Sequence, residues 1–274
     1  MPYRIVQSKQ NGRLKELRRA LANPGSRETG LAGIEGLKLL EEALRAGLRV
    51  PTVFVVEGSA GLLDGLRLPA ETEILLLPKE LLDSALTTEA PQPIAALITP
   101  PQWTWPQLLG SSALLVVLAG LQDPGNLGTI LRSAEAFGAT GVVSLPGTVS
   151  AWNPKAVRAS AGSVFRMPLL AMSVDDCFAH LRNLGIKTWT TSVQSEQPAN
   201  DVDLASPVAL LIGNEGNGVP SELAAHAYGA ITIPCPGPVE SLNAAVAASV
   251  LLYEASRQRH LRHSEPSQHT ESKP

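Results

Sequence analysis

Cysteine is nearly missing from this chain: Cys177 and Cys235 are the only two in 274 residues. Two thiols build neither a disulfide framework nor a cysteine-ligated metal cluster. Their scarcity fits a reducing compartment. Aromatic residues are sparse as well, at 4%. Long apolar runs are lacking: the longest, Ala113–Ala119, is strand-sized, far below the roughly 20 residues a membrane-spanning helix needs. The N-terminus is polar and basic with no apolar core behind it, so no secretion signal is read. The expected location is the cytoplasm.

The chain does have enough apolar residues to fold. At 44% hydrophobic and 17% charged, it falls in the globular range, with room for one large domain or two modest ones. The net charge is −3, but it is unevenly spread. Residues 1–50 hold ten Lys or Arg against five Glu, whereas 51–256 hold eight basic against eighteen acidic residues. Because fields decay within about 10 Å in ordinary salt, a basic end on an acidic body is compatible with a nucleic-acid partner. A solvated helix face looks the same.

Apolar spacing predicts helices over Leu14–Leu21 and Gly36–Ala46. Strands are predicted at Val53–Val56, Ile74–Leu77 and Ile94–Ile98, giving an α/β unit over the first hundred residues. The Pro- and Trp-rich stretch Thr99–Pro106 then reads as a linker. A second α/β unit starts with Ala113–Ala119, the continuous apolar run of a buried parallel strand. A helix follows over Leu127–Phe137, then a strand over Gly141–Leu145 and a helix over Val174–Leu184. Strands Thr188–Thr191 and Val208–Ile212, a helix at Ser221–Ala225, a strand at Ala230–Ile233 and a long helix Ser241–Arg259 complete it. The expected division is 1–102, a linker 103–112, a second domain 113–260 and a polar tail 261–274.

Ligands of open parallel sheets bind beyond the carboxyl ends of the strands. Three polar loops occupy such places: Gln122–Arg132, Gly213–Pro220 and Ile233–Asn243. None carries Gly-Lys-Ser/Thr or opens a helix with G-x-G-x-x-G, which leaves a dinucleotide oxidoreductase without its fingerprint. The glycines of the second loop suit tight turning and close approach of a ligand, or an ordinary strand–helix turn.

Asp123-Pro-Gly-Asn-Leu-Gly-Thr-Ile-Leu-Arg132, Ile212-Gly-Asn-Glu-Gly-Asn-Gly-Val-Pro220, and Ile231-Thr-Ile-Pro234 with Ser241-Leu-Asn-Ala-Ala245 resemble the three ordered motifs of the SpoU/TrmH branch of the SPOUT RNA methyltransferases. The likeness covers residues 113–259. More loosely, Ile34-Glu35-Gly36 and the helix after it resemble the substrate-binding domain that precedes this catalytic domain in many members.

The resemblance implies a trefoil-knotted α/β domain with a parallel sheet, preceded by a smaller α/β RNA-binding domain, and a homodimer. It implies S-adenosyl-L-methionine as methyl donor, no metal, and RNA as substrate, methylated at a ribose 2′-hydroxyl. The separate N-terminal domain favours ribosomal over transfer RNA. The alternative is a non-catalytic RNA-binding protein, whose working part is the basic N-terminal domain.

Carried over by position, Asn126 and Arg132 look like the catalytic pair, supported by Glu215, Ser241 and Asn243. Gly213, Ile233 and Leu242 match positions whose backbone holds the donor's adenine and ribose. Leu211, Ile212, Asn214, Gly218, Ile231, Pro234, Ala245 and the strand end Thr190-Thr191 are expected to line the same pocket. Asp123 departs from the family, which commonly has Asn there. A guanidinium is always charged, so Arg132 is expected to position a phosphate and stabilise negative charge at least as much as to accept a proton.

Lys155, Arg158 and Arg166 flank the hydroxyl-rich Ser160–Ser163 and are candidate phosphate contacts. So are Arg4, Lys9, Arg13, Arg18, Arg19 and Arg27 in the N-terminal domain, with binding that weakens as salt rises. The four tryptophans read as packing or linker anchors. His260 and His263 lack acidic or cysteine neighbours for a metal site, and Cys235 lacks a paired base.

Overall fold

A computed structural model describes residues 3–23 and 30–264, the last two as backbone only. Arg27 lies outside the described residues, as does the tail beyond 264. The chain forms two compact units. The first holds 1–102, 123–132 and 149–167; the second holds 103–122, 133–148 and 168–274.

The first unit is built on a five-stranded mixed sheet. The three anticipated strands are β3 (Thr52–Val56), β4 (Glu73–Leu77) and β5 (Ile94–Ile98); β1 (Tyr3–Ile5) and β2 (Ala32–Glu35) were not anticipated. The order is β1-β4-β3-β5-β2, with β1 and β3 parallel to β4 and β5 antiparallel to both β3 and β2. Helix α1 (Gly12–Ala22) starts where the Asn11 side chain accepts from the amides of Arg13 and Leu14, satisfying two otherwise orphaned donors. Its Leu14, Leu17, Ala20 and Leu21 are buried against Phe54, Leu75, Leu77 and Leu97. Helices α2 (Leu37–Arg45) and α3 (Lys79–Asp83) complete the N-terminal part.

Two short stretches from later in the chain pack in this unit. One is the start of helix α5 (Pro124–Ala136); the other carries α6 (Pro154–Ala159). They meet at Gly128, where a Cβ would lie 2.4 Å from the Ala156 carbonyl oxygen and 2.5 Å from the Ala159 Cβ. Only a hydrogen fits there. Arg166, expected to face phosphate, donates to Glu42 of α2 at 2.7 Å.

The second unit carries six strands, all parallel, in the order β11-β9-β10-β6-β7-β8. They are β6 (Leu114–Leu118), β7 (Gly141–Ser144), β8 (Leu169–Ala171), β9 (Lys187–Thr191), β10 (Val208–Ile212) and β11 (Gly229–Ile231). Every residue of β6 and β10 is buried, which is why both read as unbroken apolar runs. Each Leu or Val so buried contributes about 1.5–3 kcal/mol. Helix α7 (Val174–Asn183) packs Cys177, Phe178 and Leu181 into the core, and a short helix α8 (Ser221–Ala224) lies between β10 and β11. Burial pushes the Cys177 thiol up to about 12, so it stays protonated and unreactive.

The linker expected at 103–112 is partly helical instead. Thr104 and Gln107 form a capping box, and Pro106 sits in the first turn of α4 (Trp105–Leu109), a position where a missing amide costs nothing. Leu108 is fully buried, with Trp103 and Trp105 packed against the same core. The last helix also runs past its expected end at Arg259. Helix α9 runs over Ala244–Ser264 because its last turns are anchored: Arg259 donates to the carbonyls of Ser112, Ala113 and Ser206, and Arg262 reaches Asp203 at 3.0 Å.

Candidate active site

In the second unit, the loops after β6 and β10 leave the sheet side by side. Ile212 pairs with Leu118 at the last rung. The Ala119 amide then donates to the Ile212 carbonyl at 2.8 Å. One residue further on, the Asn214 Nδ2 donates to the Gly120 carbonyl at 2.9 Å. The Asn214 Oδ1 accepts from the Gly216 amide at 2.8 Å, so one side chain both shapes its own loop and ties it to the neighbouring one.

That loop closes on itself. Asn214 and Gly218 exchange two backbone hydrogen bonds, each 2.9 Å. Gly218 takes a φ of +65°, a conformation that favours glycine. The closure brings the carbonyl carbon of Gly218 within 2.1 Å, and the amide nitrogen of Val219 within 2.3 Å, of where a Cβ on Gly213 would sit. The glycine expected to admit a ligand is required first by the loop's own backbone. Glu215, Gly216 and Asn217 are exposed at the tip.

Beside this loop stand the carboxyl ends of β9 and β11, where Ile231 pairs with Thr191. The Thr191 hydroxyl donates to the Leu211 carbonyl at 3.4 Å. The Thr190 hydroxyl is buried with no hydrogen-bond partner among the described residues, a costly state for a polar group. Strand β11 ends at Ile231, two residues earlier than expected. Ile233 is partly buried, and Pro234–Ser241 form an exposed loop.

Asn243, expected to serve the reaction, acts as a helix cap. Its Oδ1 accepts from the Ala245 amide at 2.9 Å and the Val246 amide at 3.3 Å, and its carbonyl accepts from Ala247. It therefore sets where α9 begins, three residues after Ser241. Leu242 is half-buried, whereas Ala245 is buried.

Asn126 and Arg132 belong to the first unit, on α5. Asp123 caps this helix. Its Oδ1 accepts from the Gly125 amide at 2.9 Å and from the Lys155 ammonium at 2.8 Å, and its carbonyl accepts from Leu127 at 3.1 Å. The Lys155 ammonium, then the Gly125 amide, hold the Asp123 carboxyl below its ordinary value. Sequence reasoning missed this pair, although an Asp before a Pro at a helix start carries the capping signal. Asn126 is partly buried in the first turn, and Arg132 is exposed two turns on.

The basic residues divide into two groups. Arg4 and Arg13 share Glu73, and Arg13 also pairs with Glu16. Arg18 donates to the Lys9 carbonyl and to Ser84. Lys9, Arg19 and Arg158 are exposed. Arg4, Arg13 and Arg19, with Asn11, Gly12, Glu16 and Glu73, line one concavity at the start of α1.

Residues 113–253 match the SpoU rRNA methylase family, and residues 11–96 match the MRM3-like substrate binding domain. The chain is 31% identical over 252 residues to the 23S rRNA (guanosine(2553)-2'-O)-methyltransferase RlmP of Bacillus subtilis, spanning 90% of this chain and 97% of that one. It is 39% identical over 148 residues to the 23S rRNA (guanosine-2'-O-)-methyltransferase RlmB of Xanthomonas campestris, spanning 54% and 59%. Among solved structures, the SpoU methyltransferase AviRb from Streptomyces viridochromogenes, in complex with AdoMet, superposes with a TM-score of 0.81 at 30% identity over 92% of this chain and 99% of that one. The AdoMet-bound rRNA methyltransferase from Sinorhizobium meliloti gives 0.80 at 29% identity over 93% and 98%.

Proposed function

This chain belongs to the SpoU rRNA methylase family, and on that footing we propose how its residues share the work of methylating a ribose 2′-hydroxyl in ribosomal RNA from S-adenosyl-L-methionine. The observation that carries the reading is the joined pair of loops: Asn214 binds the Gly120 carbonyl across them, at the carboxyl edge of a parallel sheet. A backbone held this way is organised before any ligand arrives, so little ordering cost remains at binding.

The residues suit the methyl donor. The buried, unpartnered Thr190 hydroxyl marks a place with unused hydrogen-bonding capacity. The backbone from Leu211 to Gly218 and from Ile231 to Pro234, with Leu242 and Ala245, would hold its adenosyl part. Bound S-adenosyl-L-methionine supplies a methyl group on a positively charged sulfur, already electrophilic. The rest of the task belongs to the protein: to align the attacking oxygen, accommodate its proton and exclude water.

Arg132 takes the RNA side. Its fork of donors fits a phosphate and the negative charge that the ribose oxygen carries as its proton is lost. Asn126 orients the ribose from the first turn of the same helix, with Glu215 and Ser241 assisting. Asn243 contributes by starting α9 at the right residue. Lys9, Arg18, Arg19 and Arg158 supply phosphate contacts along the RNA, each adding to the salt dependence of binding. A ribosomal RNA substrate supports a cytoplasmic location.

Calorimetric titration with S-adenosyl-L-methionine tests this reading. One saturable site per chain is expected, and absence of heat would leave only a passive RNA binder.

A homodimer forms part of the same proposal. Val246, Val250, Tyr253 and Leu261 are each at least 40% exposed and recur at helical spacing along one face of α9. Val246 to Tyr253 span about 10 Å at 1.5 Å per residue, the exposed Arg257 separates them from Leu261 on the same face, and a second copy can cover this patch about a two-fold axis. Light scattering should give twice the chain mass, and Tyr253→Glu should halve it. A monomeric parent protein would contradict the assignment.

A further inference from the structure

Lys155 was expected to meet RNA, yet its ammonium lies on the Asp123 carboxylate. We propose that Lys155 is a positioning residue for the methyl transfer: it neutralises Asp123 and locks the first turn of α5, which carries Asn126. The inference rests on the function proposed above.

Three observations converge on this pair. First, one carboxylate oxygen, Asp123 Oδ1, accepts from both the Gly125 amide and the Lys155 ammonium. Asp123 thus caps α5 and anchors it to α6 at one atom. Second, the two helices are in contact where they are tied. Gly128 leaves no room for a side chain against Ala156 and Ala159, and a Cβ on Gly125 would lie 3.3 Å from the Lys155 Cε. Third, Lys155 is itself fixed at its backbone, since its amide donates to the Asn153 Oδ1 at 2.9 Å. The lysine therefore approaches Asp123 from a rooted position rather than from a loose surface helix.

The chemistry explains why this chain needs the lysine. A neutral amide at position 123 could accept from Gly125 without adding charge. The carboxylate accepts the same hydrogen bond but carries a full negative charge three residues from Asn126. That charge would repel RNA phosphate and oppose the negative charge that the attacking oxygen carries as its proton is lost. The Lys155 ammonium cancels it, at a distance where the attraction also restricts the first turn.

The test is a pair of substitutions. Lys155→Met keeps the length of the stem and removes the charge. Asp123→Asn, added to it, removes the carboxylate and keeps the capping oxygen. With an unmodified 23S rRNA transcript, Lys155→Met should lower kcat/KM for RNA about tenfold, and the loss should shrink as salt rises. Its affinity for S-adenosyl-L-methionine should stay within about twofold. The double variant should recover most of the loss. A lysine with a merely structural role would leave the double variant as impaired as the single one, and that result overturns the proposal.

A readout without turnover separates this inference from the functional reading. Amide exchange at Gly125 and Leu127 should quicken in Lys155→Met, and unchanged exchange would also overturn the proposal. Failure of the functional reading would show instead as a parent protein that binds no methyl donor.

Discussion

Gly213→Ala should abolish tight binding of the methyl donor while leaving the protein folded. The added carbon would stand 2.1 Å from the Gly218 carbonyl carbon, 2.3 Å from the Val219 nitrogen and 2.4 Å from the Gly218 oxygen. These are backbone atoms, so no rotamer change relieves the clash. The loop must open, breaking the paired bonds between Asn214 and Gly218 and drawing Asn214 away from Gly120. Overpacking of this kind costs about 1–3 kcal/mol. Because the strain falls on the loop expected to hold the ligand, affinity should drop up to about 100-fold. Strand β10 ends before the clash and is buried along its whole length, so circular dichroism should be nearly unchanged. Calorimetry showing parental affinity would mean that the closed loop is irrelevant to donor binding.

The second large effect lies at Arg132. Arg132→Ala should reduce methyl transfer by about 100- to 1,000-fold, the range seen when a donor to a developing oxyanion is removed. Affinity for the donor should hold within about twofold, since the residues assigned to it sit on other loops. Arg132→Lys distinguishes two roles. A point charge still attracts phosphate but lacks the planar fork, so partial recovery would assign part of the effect to charge alone. Single-turnover rates on RNA, set beside donor titrations, measure both quantities. An alanine variant that keeps most of its rate would remove Arg132 from the reaction.

Much of the architecture can be read from the residues because burial leaves a simple pattern. Ala113–Ala119 and Val208–Ile212 are apolar throughout, and the strands they contain are central and covered on both faces. The elements that escaped reading lack such a pattern. Strand β1 has three exposed residues at a sheet edge, and β2 is four residues long and includes a glycine and a glutamate. Both exist because a neighbouring strand is there to pair with, which is a tertiary cause. The stretch around Trp105 was misread because Pro and Trp look like breakers. Thr104 and Gln107 turn the same residues into a capped helix start.

The candidate site was legible in its residues but not in the task each performs. Gly213, Asn214 and Asn243 belong to the expected motifs, yet each is engaged in shaping backbone: a closed loop, a bridge between loops and a helix cap. Lys155 showed as one more basic residue, since nothing in the sequence says that a side chain 32 positions away meets Asp123. Sequence spacing identifies which residue types a site requires. It does not separate groups that touch a ligand from groups that hold those in place.

Incubating the purified protein with isotopically labelled S-adenosyl-L-methionine and ribosomal RNA lacking modifications, then mapping ribose methylation along the RNA, tests the central claim most directly. The expected result is label on a 2′-oxygen at one defined nucleotide, lost in Arg132→Ala. Label on a base, or none in RNA under conditions where the protein binds the donor, would contradict the account.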